Sequence, residues 1–178
     1  MFVSLRQKGR QGDRPLFGQR CDRCYIGKDL SRLYGRGFEY SKDALEYLKK
    51  NIALNDAKNV TAVYGDVTVC CGEYDDGIFD LIVSNPPYIE SDEIDTLQQE
   101  LQFEPRMALD GGQDGLYFYR IITEKWHSKL KCGGMLAFEV GERQSVPVSE
   151  ILEKHVFEKI YTKKDLHGYN RIVCGIKK

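Results

Sequence analysis

The chain has 178 residues, of which 42% are hydrophobic and 30% are charged. This length suits one domain with a sizeable core, and this composition is typical of a soluble globular protein. No stretch approaches the roughly 20 apolar residues of a membrane span, and the N-terminus lacks the apolar centre of a secretory signal. The six cysteines do not have the spacing of a disulfide scaffold. We therefore predict a cytoplasmic protein with reduced thiols that does not bind membranes.

The formal net charge of −1 hides an uneven distribution. Residues 1–37 hold nine Lys or Arg and three Asp, a net charge of +6, whereas residues 38–178 carry a net charge of −7. Such a basic segment can be an arm that contacts nucleic acid, or a segment that does not belong with the sequence that follows. We therefore divide the chain into a basic segment, residues 1–37, and a domain, residues 38–178.

Strands and helices alternate from residue 41 onward. Apolar residues at helical spacing predict three helices, and alternating or continuous apolar runs predict five strands. In chain order these are a helix over residues 41–55, strands over 59–64 and 79–84, a helix over 115–131, a strand over 135–140, a helix over 149–154, and strands over 155–163 and 171–176. The alternation predicts an α/β fold with a doubly wound, mostly parallel sheet, and the last two strands predict an antiparallel hairpin at its edge.

The tetrapeptide Asn85-Pro86-Pro87-Tyr88 directly follows the predicted apolar strand 79–84. A strand that stops at two prolines places its last polar residue at the carboxyl edge of the sheet, where open α/β sheets bind ligands. The carboxamide of Asn85 both accepts and donates hydrogen bonds, so it suits a planar amide or the amino-bearing edge of a base, and Tyr88 adds an aromatic face. A turn that only closes the strand is the plain alternative, but the apolar strand before it favours a site for a planar nitrogen nucleophile.

These residues carry a family resemblance. The run 80–89, Asp-Leu-Ile-Val-Ser-Asn-Pro-Pro-Tyr-Ile, resembles the signature of amino methyltransferases that use S-adenosylmethionine. Residues 103–116, Phe-Glu-Pro-Arg-Met-Ala-Leu-Asp-Gly-Gly-Gln-Asp-Gly-Leu, followed by Gly133-Gly134 and Phe138-Glu139-Val140-Gly141, closely resemble the release factor glutamine methyltransferases. The resemblance implies a Rossmann-like methyltransferase fold of the seven-stranded type. It also implies methyl transfer from S-adenosylmethionine to a glutamine side-chain nitrogen in a peptide chain release factor, a modification that serves translation termination.

The resemblance also implies roles for individual residues. The tetrapeptide Asn85-Pro86-Pro87-Tyr88 would hold the glutamine amide and line the reacting centre, and Asn85 would also border the cofactor. Glu39, at the end of the second strand, would accept hydrogen bonds from the ribose hydroxyls, while Asp66 and Val67 would flank the adenine. An exposed glutamate at the end of a strand and an aspartate in a turn are the plain alternatives for Glu39 and Asp66.

The N-terminal part departs from the family pattern. Family members have a glycine-rich turn after the first strand, about 20 residues before the acidic residue matched by Glu39. Residues 15–27 of this chain contain neither an apolar strand nor a Gly-x-Gly turn. We therefore expect a degraded first strand and impaired cofactor binding, and we interpret residues 1–37 as out of frame, disordered, or the eroded start of a truncated gene. A divergent first strand that uses Gly18 and Gly27 is the alternative.

Three other functions stay open. An adenine N6-methyltransferase would use the same tetrapeptide, an inactive remnant would keep the fold without binding cofactor, and an RNA-binding module would rest on residues 1–37 alone. That segment lacks interleaved aromatic residues for base stacking, so nucleic-acid binding is not expected. The pair Cys21 and Cys24 has no second pair at zinc spacing, and the three histidines share no ligand spacing. No metal site is therefore predicted.

Overall fold

A computed structural model describes residues 2–7, 33–97 and 104–178 of the chain. The described strands are β1 (Phe2–Gln7), β2 (Leu33–Glu39), β3 (Val60–Tyr64), β4 (Phe79–Ser84), β5 (Leu130–Glu139), β6 (Phe157–Lys164) and β7 (Asn170–Lys177). The α-helices are α1 (Lys42–Leu54), α2 (Arg106–Leu109), α3 (Tyr117–Trp126) and α4 (Ser145–Lys154), and short 3-10 turns lie at Cys70–Glu73 and Ile94–Thr96. None of the helices in these ranges is long and apolar enough to cross a membrane.

The described strands form one sheet in the order β3-β2-β1-β4-β5-β7-β6. Parallel pairing is confined to β2 with β3 and β4 with β5, whereas β1 and β7 each run antiparallel to both of their neighbours. The α/β class and the antiparallel hairpin at the edge are confirmed. The expectation of a mostly parallel sheet is confirmed in strand direction, since five of the seven described strands point the same way. The two described strands that point the other way are β1 and β7, which make the sheet mixed.

Strand β1 lies inside the sheet, between β2 and β4, and no pattern in the sequence predicted it. Phe2 pairs with Phe38 on one side and with Ser84 on the other. The first residue of β1 therefore lies at the edge where β2 and β4 end. Its last residue, Gln7, pairs with Leu33 at the start of β2 and therefore lies at the opposite edge.

The other expectations for the N-terminal segment concern residues that are only partly described. Residues 15–27, where the family pattern places a glycine turn, lie outside the described residues, and these include Cys21 and Cys24. Strand β2 begins at Leu33, so the boundary placed after residue 37 falls inside a strand of the sheet. The degraded first strand and the out-of-frame interpretation of residues 1–37 stay predictions.

Helix α1 begins where the sequence predicts it. Ser41 is its N-cap, and the Ser41 hydroxyl accepts a hydrogen bond from the backbone N–H of Ala44 at 3.3 Å. Leu45 is buried and turns this helix toward β2 and β3. The cap therefore fixes the short link between the end of β2, which carries Glu39, and the helix.

An aromatic cluster lies between the sheet and α3. Trp126 is fully buried, and its ring centroid lies 5.4 Å from that of Phe38, 5.9 Å from that of Tyr74 and 6.2 Å from that of Phe79. Burial of a large apolar side chain stabilises a fold by roughly 1.5–3 kcal/mol. Because Phe38 is in β2 and Phe79 is in β4, this cluster joins two of the strands whose ends carry the candidate site.

The helix predicted over residues 115–131 is shorter than expected. It extends only over α3, and β5 already begins at Leu130, so Gly133 lies within a strand and does not end a helix. Gly133 has a φ of +77°, and the pairing of β4 with β5 shifts register between Phe79 and Leu81. This irregularity is typical of a β-bulge, and it explains why a glycine there was mistaken for a helix end.

Candidate functional site

The tetrapeptide Asn85-Pro86-Pro87-Tyr88 leaves the sheet at the carboxyl edge of β4. Ser84, the last residue of the strand, is buried, whereas Asn85 is exposed. Pro86 is buried again, and Pro87 and Tyr88 are half-buried. Two consecutive prolines restrict φ, so Asn85 is held at the surface by a backbone that is anchored on both sides.

A short bridge holds the chain that follows the tetrapeptide. The backbone N–H of Ile89 donates to the carbonyl of Leu109 at 3.0 Å, and the N–H of Gly111 donates to the carbonyl of Ile89 at 2.8 Å. A Cβ atom on Gly111 would lie only 2.7 Å from the Cα of Tyr88, so glycine is required for this approach. The motif that follows Pro105 therefore packs directly against the end of the tetrapeptide.

The side chain of Gln144 links the tetrapeptide to the end of β5. Its Nε2 donates to the Tyr88 carbonyl at 2.8 Å and to the Gly115 carbonyl at 3.3 Å, and its Oε1 accepts from the N–H of Gly141 at 3.1 Å. Gln144 immediately precedes α4, which begins at Ser145, four residues earlier than predicted. Sequence reasoning missed Gln144, although it lies just after the quoted motif that ends at Gly141.

Charged side chains brace the loop beside the tetrapeptide. Asp110 Oδ1 accepts from the Ser91 hydroxyl at 2.7 Å and from the N–H of Gly112 at 3.0 Å, and Arg106 Nε lies 3.6 Å from Asp110 Oδ2. The Ser91 hydroxyl, then the Gly112 N–H and Arg106, hold the pKa of Asp110 below its ordinary value. A neighbouring pocket of about 370 Å³ is lined by Ile94, Asp95, Glu104, Arg106 and Leu109. These hydrogen bonds and the ion pair hold the loop in place, and charged side chains line the pocket beside it.

Glu39 ends β2 at the same edge of the sheet. Its Oε1 accepts from the backbone N–H groups of Tyr40 at 3.0 Å and Ser41 at 3.1 Å. A carboxylate has about four lone-pair positions, so these two bonds leave acceptor capacity. A half-buried carboxylate in this orientation can bind a pair of neighbouring hydroxyl groups.

Asp66 and Val67 lie in the turn after β3. Asp66 Oδ1 accepts from the N–H of Thr68 at 2.8 Å, and the carbonyl of Val67 accepts from Trp126 Nε1 at 2.7 Å. The Val67 side chain packs against the core. The turn is therefore attached to α3 through the same tryptophan that joins β2 to β4.

The predicted site residues share one edge of the sheet. Phe2 pairs with both Phe38 and Ser84, so these two residues lie side by side across β1. Glu39 and Asn85 each come one residue later, and they therefore lie at the same height on the two sides of β1. Neighbouring strands are about 4.8 Å apart, so the two backbones are separated by about 10 Å. The turn after β3 lies at this edge as well, since β3 is parallel to β2.

Comparison with solved structures identifies the fold. The chain has a TM-score of 0.55 with a methyltransferase from Pyrococcus furiosus, at 20% identity, covering 80% of this chain and 61% of that one. It has a TM-score of 0.53 with a predicted O-methyltransferase from Agrobacterium tumefaciens, at 16% identity and with the same coverage of 80% and 61%. The chain therefore has the Rossmann-like α/β fold of methyltransferases.

Sequence comparison relates the chain to one family of methyltransferases. The chain is 37% identical over 157 residues to a release factor glutamine methyltransferase of Thermodesulfovibrio yellowstonii, covering 88% of this chain and 55% of the relative. It is 41% identical over 145 residues to that of Caulobacter vibrioides, covering 80% and 49%. No protein-family model matches the chain. The chain is a homologue of the release factor glutamine methyltransferases, which confirms the resemblance seen in its motifs. It spans about half the length of these curated relatives.

The described residues fit one end of S-adenosylmethionine, the cofactor implied by this family, better than the other end. Glu39, Asp66 and Val67 fit its nucleoside end, since they offer two carboxylates and an apolar side chain at the ends of two neighbouring parallel strands. Between β2 and β4, however, the described backbone at this edge is Phe2 of the antiparallel β1. No group of three or more His, Cys, Asp or Glu in the described ranges is arranged to hold a metal ion.

Proposed function

We propose that the chain transfers a methyl group from S-adenosylmethionine to the side-chain amide nitrogen of a glutamine in a peptide chain release factor, a substrate that it would meet in the cytoplasm. One observation supports this most strongly. Asn85 is exposed at the carboxyl edge of β4, between a buried strand end and a backbone that Gln144 holds at Tyr88. A rigid, exposed carboxamide suits the recognition of another planar amide.

The tetrapeptide would orient the glutamine amide for attack. A primary amide nitrogen is a weak nucleophile because its lone pair is delocalised into the carbonyl. Asn85 Oδ1 and a proline carbonyl would each accept one N–H of the amide, which directs the lone pair outward and favours the positive charge that develops on nitrogen. The proton that nitrogen then loses can pass to water, since Asn85 is exposed.

Three other residues would hold the cofactor. Glu39 would accept hydrogen bonds from the ribose hydroxyls, and Asp66 and Val67 would flank the adenine. S-adenosylmethionine, when bound, supplies a methyl group on a positively charged sulfonium. The part of the protein is therefore to bind the cofactor and the glutamine amide and to orient them for transfer.

The test combines cofactor binding with methyl transfer. Titration calorimetry should show saturable binding of S-adenosylmethionine, weakened about tenfold or more in Glu39→Gln, because a hydrogen bond to a charged acceptor contributes about 1.5–3 kcal/mol. The matched control is Glu150→Gln, which changes an exposed glutamate on α4. A labelled methyl group should then appear on one glutamine of a purified release factor. Binding without any transfer to a release factor would contradict the proposed substrate.

An inactive remnant is the second candidate, and the direction of β1 favours it. Where the family pattern requires a glycine turn, Phe2 begins an antiparallel strand. If this edge cannot accommodate the methionine end of the cofactor, a folded chain would show no binding in the same titration. Circular dichroism on the same sample would establish that the chain is folded.

A further inference from the structure

We infer that Gln144 is a positioning residue, whose side-chain amide fixes the backbone of Tyr88 and thereby sets the geometry of the tetrapeptide. The inference rests on the proposed function for its catalytic consequence. Its structural part is independent of turnover, because the hydrogen bonds of Gln144 can be tested in the protein alone.

The neighbours of Gln144 define the orientation of its amide. The Gly141 N–H can only donate, so the atom that faces it at 3.1 Å must be Oε1. The carbonyls of Tyr88 and Gly115 can only accept, so the atom that faces them at 2.8 Å and 3.3 Å must be Nε2. A carboxamide satisfies both requirements at once, whereas a carboxylate or an apolar side chain of the same length cannot.

Neighbouring atoms of Gly115 and Tyr119 enclose the side-chain amide of Gln144. Gly115 has a φ of +65°, and a Cβ atom there would lie 2.6 Å from Gln144 Nε2. On the other side the buried Tyr119 hydroxyl donates to the carbonyl of Glu139 at 2.9 Å and lies 3.4 Å from Gln144 Oε1. Burial raises the pKa of Tyr119 well above its ordinary value, so this hydroxyl remains a donor. The side chain of Gln144 therefore has one arrangement available.

The position of this contact explains its importance for the reaction. Strand β4 anchors the tetrapeptide before Asn85, and the Tyr88 carbonyl is its anchor at the other end. Between the two anchors lie Asn85 and the proline carbonyls that would accept the substrate N–H groups. A misplacement of about 1 Å in a reacting geometry can reduce a rate about 10²-fold, so release of the second anchor should lower kcat far more than cofactor affinity.

Gln144→Glu separates positioning from simple packing. The variant has almost the same shape and keeps the acceptor for Gly141, but it replaces the donor by an anionic oxygen that faces two carbonyls. Acidification restores an O–H donor on the introduced carboxyl, so activity should recover as the pH falls, unlike that of the wild type. Arg143→Gln is the matched control, since it makes the same change of net charge at an exposed neighbouring position.

The experiment measures hydrogen exchange and single-turnover methyl transfer in both variants. We expect Gln144→Glu to lose protection from exchange at the N–H groups of Ile89 and Gly111 and to keep it in β4 and β5. The variant should also lower kcat about 10²-fold, while its affinity for S-adenosylmethionine changes less than about threefold. Arg143→Gln should match the wild type. Recovery of the rate at lower pH in Gln144→Glu alone would support the inference further.

Two results would overturn the inference. One is unchanged exchange at Ile89 and Gly111 together with a near-normal rate in Gln144→Glu. The other is loss of protection throughout β4 and β5 in both Gln144→Glu and the neutral variant Gln144→Met, which would show that Gln144 supports the whole fold. If the wild type itself transfers no methyl group, the proposed function fails, and the exchange data still decide whether Gln144 positions the tetrapeptide.

Discussion

The edge of the sheet has two parts that are stabilised differently. We call the part after β4, proposed to hold the substrate, the substrate side, and the part after β2 and β3, proposed to hold the cofactor, the cofactor side. On the substrate side, polar side chains and close backbone approaches hold the chain, as with Gln144 on Tyr88 and Gly111 against the same residue. On the cofactor side, the polar contacts of Glu39 and Asp66 are local to their own turns, and the aromatic cluster around Trp126 provides the support. The substrate side therefore depends on hydrogen-bond geometry, and the cofactor side depends on packing.

The largest expected effect comes from Trp126→Ala, which removes the packing that supports the cofactor side. A buried tryptophan truncated to alanine should lower the free energy of unfolding by about 3–5 kcal/mol, and the Val67 carbonyl would lose its donor. Urea denaturation measures the loss, with Leu54→Ala, an exposed residue of α1, as control. A loss no larger than that of the control would remove the distinction between the two sides.

Asn85→Ala should act on the substrate side alone. We expect single-turnover methyl transfer to fall about 10²–10³-fold, the usual cost of removing one group that stabilises developing charge. The midpoint of urea unfolding should hardly change, since Asn85 is exposed. Asn85→Asp keeps the acceptor oxygen and removes the amide donor, so comparison of the two variants identifies which half of the carboxamide acts. A near-normal rate in Asn85→Ala would refute this role.

Val3→Pro tests whether β1, which lies between the two sides, is part of the cooperative fold. Val3 pairs with Gly37 of β2 and Val83 of β4, and proline removes a backbone donor from this central ladder. One carbonyl left without its donor costs about 1–3 kcal/mol, so thermal unfolding should show a loss of that size. Equal stability of variant and wild type would place β1 outside the cooperative fold.

Asp110→Asn is expected to have the smallest effect, on the substrate side. The pKa of Asp110 is lower in the folded chain than in the unfolded one, so its stabilisation is present above the unfolded pKa of about 3.9 and is lost as the pH falls through the folded value. At pH 7 the variant should be less stable by about 1 kcal/mol, since the carboxylate is only partly buried.

Urea denaturation at pH 7 and at acid pH measures this difference for Asp110→Asn. The control is Asp75→Asn, which alters an exposed carboxylate after a 3-10 turn. A difference between wild type and Asp110→Asn that grows on acidification would contradict the sign of the pKa shift.

The sequence alone determined the features that depend on local signals. The apolar run before two prolines predicted that β4 ends at Ser84, directly before Asn85. The serine cap predicted the start of α1, and the motifs predicted the family. The terminal hairpin of β6 and β7 was also recognised, because two alternating runs with a turn between them specify an antiparallel pair.

Only the tertiary structure decided which strands pair and in which direction. Residues 2–7 are too short and too far from their partners for their sequence to reveal that they enter the centre of the sheet antiparallel to β2 and β4. The contact of Gln144 with Tyr88 joins positions 56 residues apart, and no local pattern indicates it. Periodicity, caps and prolines act over a few residues, whereas strand order and the partners of a buried amide depend on contacts that exist only once the chain has folded.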